Sequence, residues 1–339
     1  MISVRSFAKI NLGLSIGALR SDGFHELRTL YQTIGLHDVV EVGLQGGSGI
    51  AIECADSRVP NDATNTCYRV AQRVLRTLSA KGRVVIRIQK RLPVQAGLGA
   101  ASSNAVATLL ALERALNKVL SGPERLRIAA EVGSDLPLFL LGGTILGVGR
   151  GEEVYPMPDL PGTPCAIAMP NMGLSTAEAF KDWDRVQGRE DTAPDADEQV
   201  TKPKLTLERA SDKIKMFGRA VSPWLGGFSG AAGNPMSGVP AGSRGRGETL
   251  LLSLVHTGIE NDFEKVVFPK YPELYEIKRD LLQAGAFYAS LSGSGSALYG
   301  LFRTREQAET CVRCLRQRGI PALATATLAR SSYWRRLWK

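Results

Sequence analysis

The sequence predicts an α+β protein of two domains with a mixed sheet. Three observations carry this expectation. The chain has 339 residues, more than a single core ordinarily serves. Its first half alternates β-branched, strand-like runs with helical ones, and its second half resumes the alternation after a stretch of different composition. Apolar residues make up 44% of the chain, the share of a folded protein rather than a disordered one.

The elements follow in order. Residues 3–16 and 39–44 alternate apolar and β-branched side chains and read as strands. Pro60, Asn61 and Asp62 form a turn signal, and 63–78 after them has the periodicity of an amphipathic helix. Residues 84–89 are a further strand, followed by a glycine-containing loop and a strong helix from 101 to 117. A boundary between Pro156 and Pro164 divides the chain into domains 1–160 and 161–339. In the second, 165–169, 287–291, 297–302 and 322–328 read as strands, and 176–186, 274–284 and 306–318 as helices. The segment 188–247 stands apart. It begins acidic and ends rich in glycine, serine and proline, so it reads as a long mobile insertion with a helix near 205–217.

The net charge of +9 raises the question of a nucleic-acid partner. The basic residues are spread along the chain without an aromatic RNA-binding signature, and a positive field attracts nucleotides equally well. No nucleic-acid partner is expected, although the tail 330–339 carries Arg330, Arg335, Arg336, Lys339 and two tryptophans with no acidic residue. The longest apolar run, 136–148, contains Pro137, Gly142 and Gly143 and is shorter than the roughly 20 residues a bilayer requires. Arg5 and Lys9 interrupt the apolar stretch at the start, so neither a secretory signal nor a membrane partner is expected. Five scattered cysteines, with Cys311 and Cys314 on one helical stretch, read as reduced thiols in the cytoplasm.

The most informative stretch leads from the strand at 84–89 into the following helix. It comprises Pro93, Val94, Gln95, Ala96, Gly97, Leu98, Gly99, Ala100, Ala101, Ser102 and Ser103. Gly97 and Gly99 permit close backbone approach, the helix start offers unpaired N–H groups, and the serines add hydroxyl donors. Together they form an anion cradle suited to nucleotide phosphates. A tight turn with a serine cap would use the same residues. No GK[ST] follows the glycines, and Ser102 occupies the third glycine position of a dinucleotide fingerprint, so neither familiar phosphate motif applies.

The pattern Pro93 to Ser103 resembles the ATP loop of the kinase superfamily named for galactose, homoserine, mevalonate and phosphomevalonate kinases. Ala8-Lys-Ile-Asn-Leu-Gly13 and Leu291-Ser-Gly-Ser-Gly-Ser-Ala297 resemble two further motifs of that superfamily, in the right order. The stretches 7–30, 133–144 and 261–264 resemble the branch acting on a cytidine-diphosphate-linked sugar alcohol, with Asp22-Gly-Phe-His-Glu-Leu27 its cytidine-side motif. The resemblance implies an N-terminal domain like part of ribosomal protein S5, a ferredoxin-like C-terminal domain and an active site between them. It implies ATP as co-substrate, with magnesium expected beside the phosphates. Ser103 is one candidate ligand for that ion, and a site of phosphates and water is the other.

The resemblance also assigns roles. Asp135 matches a catalytic aspartate, although it would equally cap the helix that follows. Lys9 matches the lysine beside it, with a solvated strand lysine as the plain alternative, and Asn11, on the same strand face, matches a substrate contact. Phe24, His25 and Phe180 match the cytosine site, where core packing is the alternative for the aromatics. Gly293 matches a backbone approach near the transferring phosphate. Asn65 and Lys90, with the eleven loop residues, match the ATP site; a helix-start residue and a surface lysine are their plain readings. Phe24 stands where the family has tyrosine, Ala100 and Ala101 stand where it has paired glycines, and 188–247 is longer than expected. A sister kinase acting on mevalonate, homoserine or a sugar, a nucleic-acid binder and a catalytically silent ligand sensor are the rival readings.

Overall fold

The computed structural model describes residues 1–190 and 259–339. All but the first residues of the 188–247 insertion, and the helix read at 205–217, lie outside the described residues.

The first sheet is organised by two long antiparallel strands, β1 (Ile2–Leu19) and β2 (His25–Gln45). Beyond β2 lie β4 (Arg83–Gln89) and β3 (Gly49–Cys54) at one end, and β5 (Thr144–Val148) and β6 (Glu153–Pro156) at the other. The pairing of β3 with β4 is parallel and the other pairings are antiparallel, so the sheet is mixed as expected. Four helices accompany it: α1 (Thr66–Thr77), α2 (Ala100–Leu116), α3 (Gly122–Val132) and the short α4 (Leu136–Phe139). From Ser103 to Glu113 every residue of α2 is buried, which explains a helix apolar on nearly all sides.

The second sheet has the antiparallel order β10-β7-β9-β8, from β7 (Pro164–Ala168), β8 (Tyr288–Leu291), β9 (Leu298–Leu301) and β10 (Ala322–Ala326). Its helices are α5 (Thr176–Glu190), α6 (Glu264–Lys270), α7 (Pro272–Gln283) and α8 (Arg305–Gln317). The chain closes with α9 (Arg330–Leu337), which returns to the first sheet: Tyr333 and Leu337 are buried in the core built by Phe7, Val40, Leu109 and Phe139.

A middle core joins the sheets. Ile10, Leu12, Leu30 and Ile34 of β1 and β2 pack there against Ile167, Tyr299 and Leu301 of the second sheet. Tyr299 and Tyr288 donate hydroxyl bonds to the Asn11 and Leu12 carbonyls, at 2.7 and 2.8 Å. These ties hold β1 at the seam between the sheets, and Lys9 and Asn11 lie on that strand. Among the described residues no helix is long and apolar enough to cross a membrane.

Candidate active site

β1 supplies the first pair of residues. Register shifts fall on either side of Lys9–Asn11, leaving a short regular stretch that turns both side chains to one face. Lys9 is 3% exposed. Its ammonium donates to Asn11 Oδ1 at 2.5 Å and lies 3.7 Å from Asp135 Oδ2. The Asn11 amide donates in turn to Thr29 Oγ1 at 2.7 Å. Burial pushes the Lys9 pKa down, and the Asp135 carboxylate works against that shift.

Asp135 occupies the N-cap position of α4, yet its side chain makes no capping bond. The carboxylate instead accepts from the Tyr31 hydroxyl at 3.0 Å and faces Lys9. The capping alternative is therefore not the use made of this side chain. It is 34% exposed, so one oxygen remains reachable from the cleft.

The loop from Pro93 to Ser103 is pinned by its own alternation. Ala96 and Leu98 are buried in the middle core, leaving the alternating Gly97 and Gly99 partly open. The Leu98 carbonyl accepts from Lys9 N at 3.0 Å, and the Ala96 carbonyl accepts from Ala297 N at 3.1 Å. Gly97 has φ +75° and lies against the Ser292 carbonyl, where any Cβ would collide. Gly99, at φ +68°, starts α2 without a side-chain cap, and the first helical bond runs from Ser103 N to its carbonyl. The N–H groups of Ala100, Ala101 and Ser102 therefore have no acceptor within the helix and stand at its positive end. Pro93 and Val94 are half-buried, Gln95 is exposed and Ser103 is buried.

Gly293 meets this group from the second sheet: a Cβ there would lie 3.3 Å from Lys9 Nζ and 3.6 Å from Asn11 Oδ1. Lys9, Asn11, Asp135, Gly97, Gly99 and Gly293 thus gather in one place. Asn261 holds the Gly293 loop by donating to the Leu291 and Gly293 carbonyls at 2.9 and 2.8 Å. Glu264 accepts from Ser290 Oγ and Leu291 N. The Asn-Asp-Phe-Glu stretch at 261–264 therefore buttresses the site from behind.

At the start of β2, His25 and Phe180 of α5 stack with ring centres 5.3 Å apart and planes 2° from parallel. His25 Nε2 lies 2.9 Å from Asp184 Oδ1, and Nδ1 lies 3.1 Å from the Gly17 carbonyl. Phe180 also meets Phe263 edge-on at 5.0 Å. Phe24 sits apart from this stack on an exposed turn, under the Arg150 guanidinium at 4.9 Å.

Asn65 and Lys90 are engaged with the protein itself. Asn65 caps α1, accepting from Cys67 N at 2.8 Å and donating to the Pro60 carbonyl at 2.6 Å. Lys90 pairs with Asp38 at 2.6 Å. Asp38 is fully buried and also accepts from Arg91 N, Leu92 N and Asn104 Nδ2, so it ties the base of the loop to β2. Beside these residues a groove of about 650 Å³ opens, lined by Ile52, Cys54, Asp56, Val59, Asn61 and Gln89 among others.

Sequence reasoning missed Tyr31, Asp38 and Asp184. An aspartate directly before the strand-like run at 39–44 was the available signal for Asp38, since strands disfavour that residue. Among the described residues no three His, Cys, Asp or Glu side chains gather as a metal site.

A phosphate loop opening a buried helix, a lysine–aspartate pair at its mouth and two sheets meeting behind them define a GHMP-type small-molecule kinase. The sequence matches the family model described as GHMP kinases N terminal domain over residues 65–143, and the one described as GHMP kinases C terminal over 247–321. It is 37% identical to a 4-diphosphocytidyl-2-C-methyl-D-erythritol kinase of Solibacter usitatus, over 99% of this chain and 91% of that protein. It is 33% identical to the protein of the same name from Chlorobium limicola, over 96% of each. The crystal structure of a 4-(cytidine 5'-diphospho)-2C-methyl-D-erythritol kinase matches with a TM-score of 0.66 and 26% identity, over 96% of this chain and 98% of that one. A mevalonate kinase matches with a TM-score of 0.64 at 14% identity, over 97% of this chain and all of that one, a likeness of fold alone. The chain belongs to the 4-diphosphocytidyl-2-C-methyl-D-erythritol kinase family, and it is an ATP-dependent kinase of the two-domain GHMP fold.

Proposed function

We propose that the chain transfers the γ-phosphoryl group of ATP to the 2-hydroxyl of 4-diphosphocytidyl-2-C-methyl-D-erythritol, a step of non-mevalonate isoprenoid precursor biosynthesis. The observation that supports this best is the meeting of Lys9 and Asp135 at the mouth of the phosphate loop. On the same strand as Tyr31, six residues away, stands the His25–Phe180 stack, which suits a flat base.

In this reading the cleft lies between domains 1–160 and 161–339, except that α9 of the second returns to the first. The base stacks on Phe180 and is read by His25, with Phe24 closing over it from its exposed turn. Loss of the tyrosine hydroxyl at Phe24 leaves stacking intact. Asn11 and Gly293 border the acceptor end, and the N–H groups of Ala100, Ala101 and Ser102 hold the phosphates. The adenosine lies by the groove beside Asn65 and Lys90, which shape that end of the site through α1 and Asp38.

Phosphoryl transfer has a loose transition state, so positioning and charge do most of the work. Asp135 orients the acceptor hydroxyl and takes its proton late, as the new O–P bond forms and the bond to ADP breaks. Lys9 offsets the negative charge of the transferring group. The Ser103 hydroxyl would be the side chain nearest a magnesium ion held mainly by phosphate oxygens and water, and the ion would neutralise phosphate charge when bound. The five cysteines are free, and we place the reaction in the cytoplasm.

The test is ADP release with ATP, magnesium and 4-diphosphocytidyl-2-C-methyl-D-erythritol, run beside mevalonate and homoserine and repeated with Asp135→Asn. Turnover of the cytidine substrate alone, with a loss of about 10²-fold or more in the variant, is expected. Turnover of mevalonate or homoserine instead would move the chain to a sister activity. Equal turnover in both proteins would keep the kinase and remove Asp135 from the chemistry.

A further inference from the structure

We infer that Tyr31 is a positioning residue of the phosphoryl transfer, its hydroxyl holding the Asp135 carboxylate so that the other oxygen meets the acceptor. The inference rests on the role given to Asp135 above. Asp135 stands at the head of a four-residue helix without a capping bond, so the helix itself does not fix its side-chain rotation. Two other contacts do so. Oδ1 accepts from Tyr31 at 3.0 Å, and Oδ2 faces Lys9 Nζ at 3.7 Å. The partners come from the paired strands β2 and β1 of the first sheet, so the plane of the carboxylate is set by two anchors rather than one.

The seat of Tyr31 is built for its ring. A Cβ on Gly147 of β5 would lie 2.5 Å from Tyr31 Cε2, and one on Gly151 would lie 2.5 Å from its hydroxyl oxygen. Gly147 does not have positive φ, so it is the ring and not the backbone that excludes a side chain there. The ring is 2% exposed, and Lys9 Nζ lies 5.7 Å from its centre. The tyrosine therefore borders both members of the pair. Burial, reinforced by the Asp135 charge, pushes its phenol well above the usual tyrosine range. The hydroxyl remains a donor wherever the carboxylate is ionised.

Four proteins test this: wild type, Tyr31→Phe, Asp135→Ala and the double variant, each checked for thermal unfolding and ATP binding. Tyr31→Phe keeps the ring and removes only the hydroxyl. It is expected to lower kcat about tenfold with KM unchanged, the scale of one charge-assisted hydrogen bond used in the transition state. In the Asp135→Ala background the same change is expected to alter the rate by less than about twofold, because the hydroxyl has nothing left to hold. Gly147→Ala, which crowds the ring, is expected to lower kcat in the wild-type background. Equal losses from Tyr31→Phe in both backgrounds would give Tyr31 a packing role only and overturn the inference. An unchanged kcat in Tyr31→Phe would do the same. Full activity in Asp135→Ala would instead overturn the reading of Asp135.

Discussion

Tyr333, six residues before the last, donates its hydroxyl to the Phe139 carbonyl at 2.7 Å, so α9 is bonded to the short helix that begins after Asp135. The Phe139 ring in turn borders Gly99 of the phosphate loop. Trp334 adds a bond to the Leu141 carbonyl at 2.9 Å, and Arg114 stacks over Trp338 at 3.3 Å. The tail aromatics that invited a nucleic-acid reading are thus engaged within the chain.

Tyr333→Phe should cost about 1 kcal/mol, the net worth of one buried hydrogen bond. Tyr333→Ala should cost about 3–5 kcal/mol through the cavity left in the first core. Urea unfolding of the two variants distinguishes the bond from the packing. Equal small effects would mean that α9 is only loosely seated.

Gly97→Ala would drive a methyl group into the Ser292 carbonyl at a backbone conformation, φ +75°, that alanine rarely adopts. The expected result is a KM for ATP raised about tenfold or more and a stability loss of about 1–3 kcal/mol. Calorimetric titration with a non-hydrolysable ATP analogue checks the first part. Unchanged affinity would show that the loop tolerates displacement.

Asp38→Asn removes the charge facing Lys90, whose side chain is only 9% exposed. Breaking one half of a buried pair costs about 3–5 kcal/mol, because the remaining charge is left without a partner. Denaturant unfolding measures the loss. A raised KM for ATP should accompany it, since Arg91 N, Leu92 N and Asn104 all bond to the same carboxylate.

The lowered pKa of Lys9 gives a sign for the pH dependence. Its ammonium is lost as pH rises through a value below the ordinary 10.5, so the alkaline fall in kcat should begin below that pH. Lys9→Arg, which stays charged, should lack this limb while working more slowly. Stability runs the other way. Between the lowered folded value and the ordinary unfolded one, the unfolded chain binds more protons, so this residue's contribution to stability rises with pH. A kcat profile flat through pH 10.5 would place Lys9 outside the transfer step.

The sequence made the ends of the argument legible and left its middle hidden. The loop glycines, Lys9, Asp135 and Gly293 belong to short motifs whose spacing survives without the fold, and the structure brings them together. Residues 25–38 of β2 were unreadable as a strand because His25, Thr29, Gln32, Thr33 and Asp38 interrupt the apolar alternation. All five are buried, and several bond across the seam, as Gln32 does to the Leu328 carbonyl. The polar side chains that hid the strand are therefore the ones that tie it into the seam. The helix in the tail was hidden differently. Four basic residues and two tryptophans among ten drew the reading towards a nucleic-acid partner, whereas Tyr333 and Leu337 are buried against the first core.

β2 acts as a ruler. His25 and Tyr31 are six residues apart on one continuous strand, about 20 Å at the usual rise per residue, with side chains on the same face. A paired strand can neither stretch nor fold to bring its two marks closer. Inserting one residue between them would turn everything beyond it to the opposite face. Selection by such a device is selection by span: a short alcohol can rest at one mark, while a molecule carrying its base at one end and its reactive hydroxyl at the other is gauged by both.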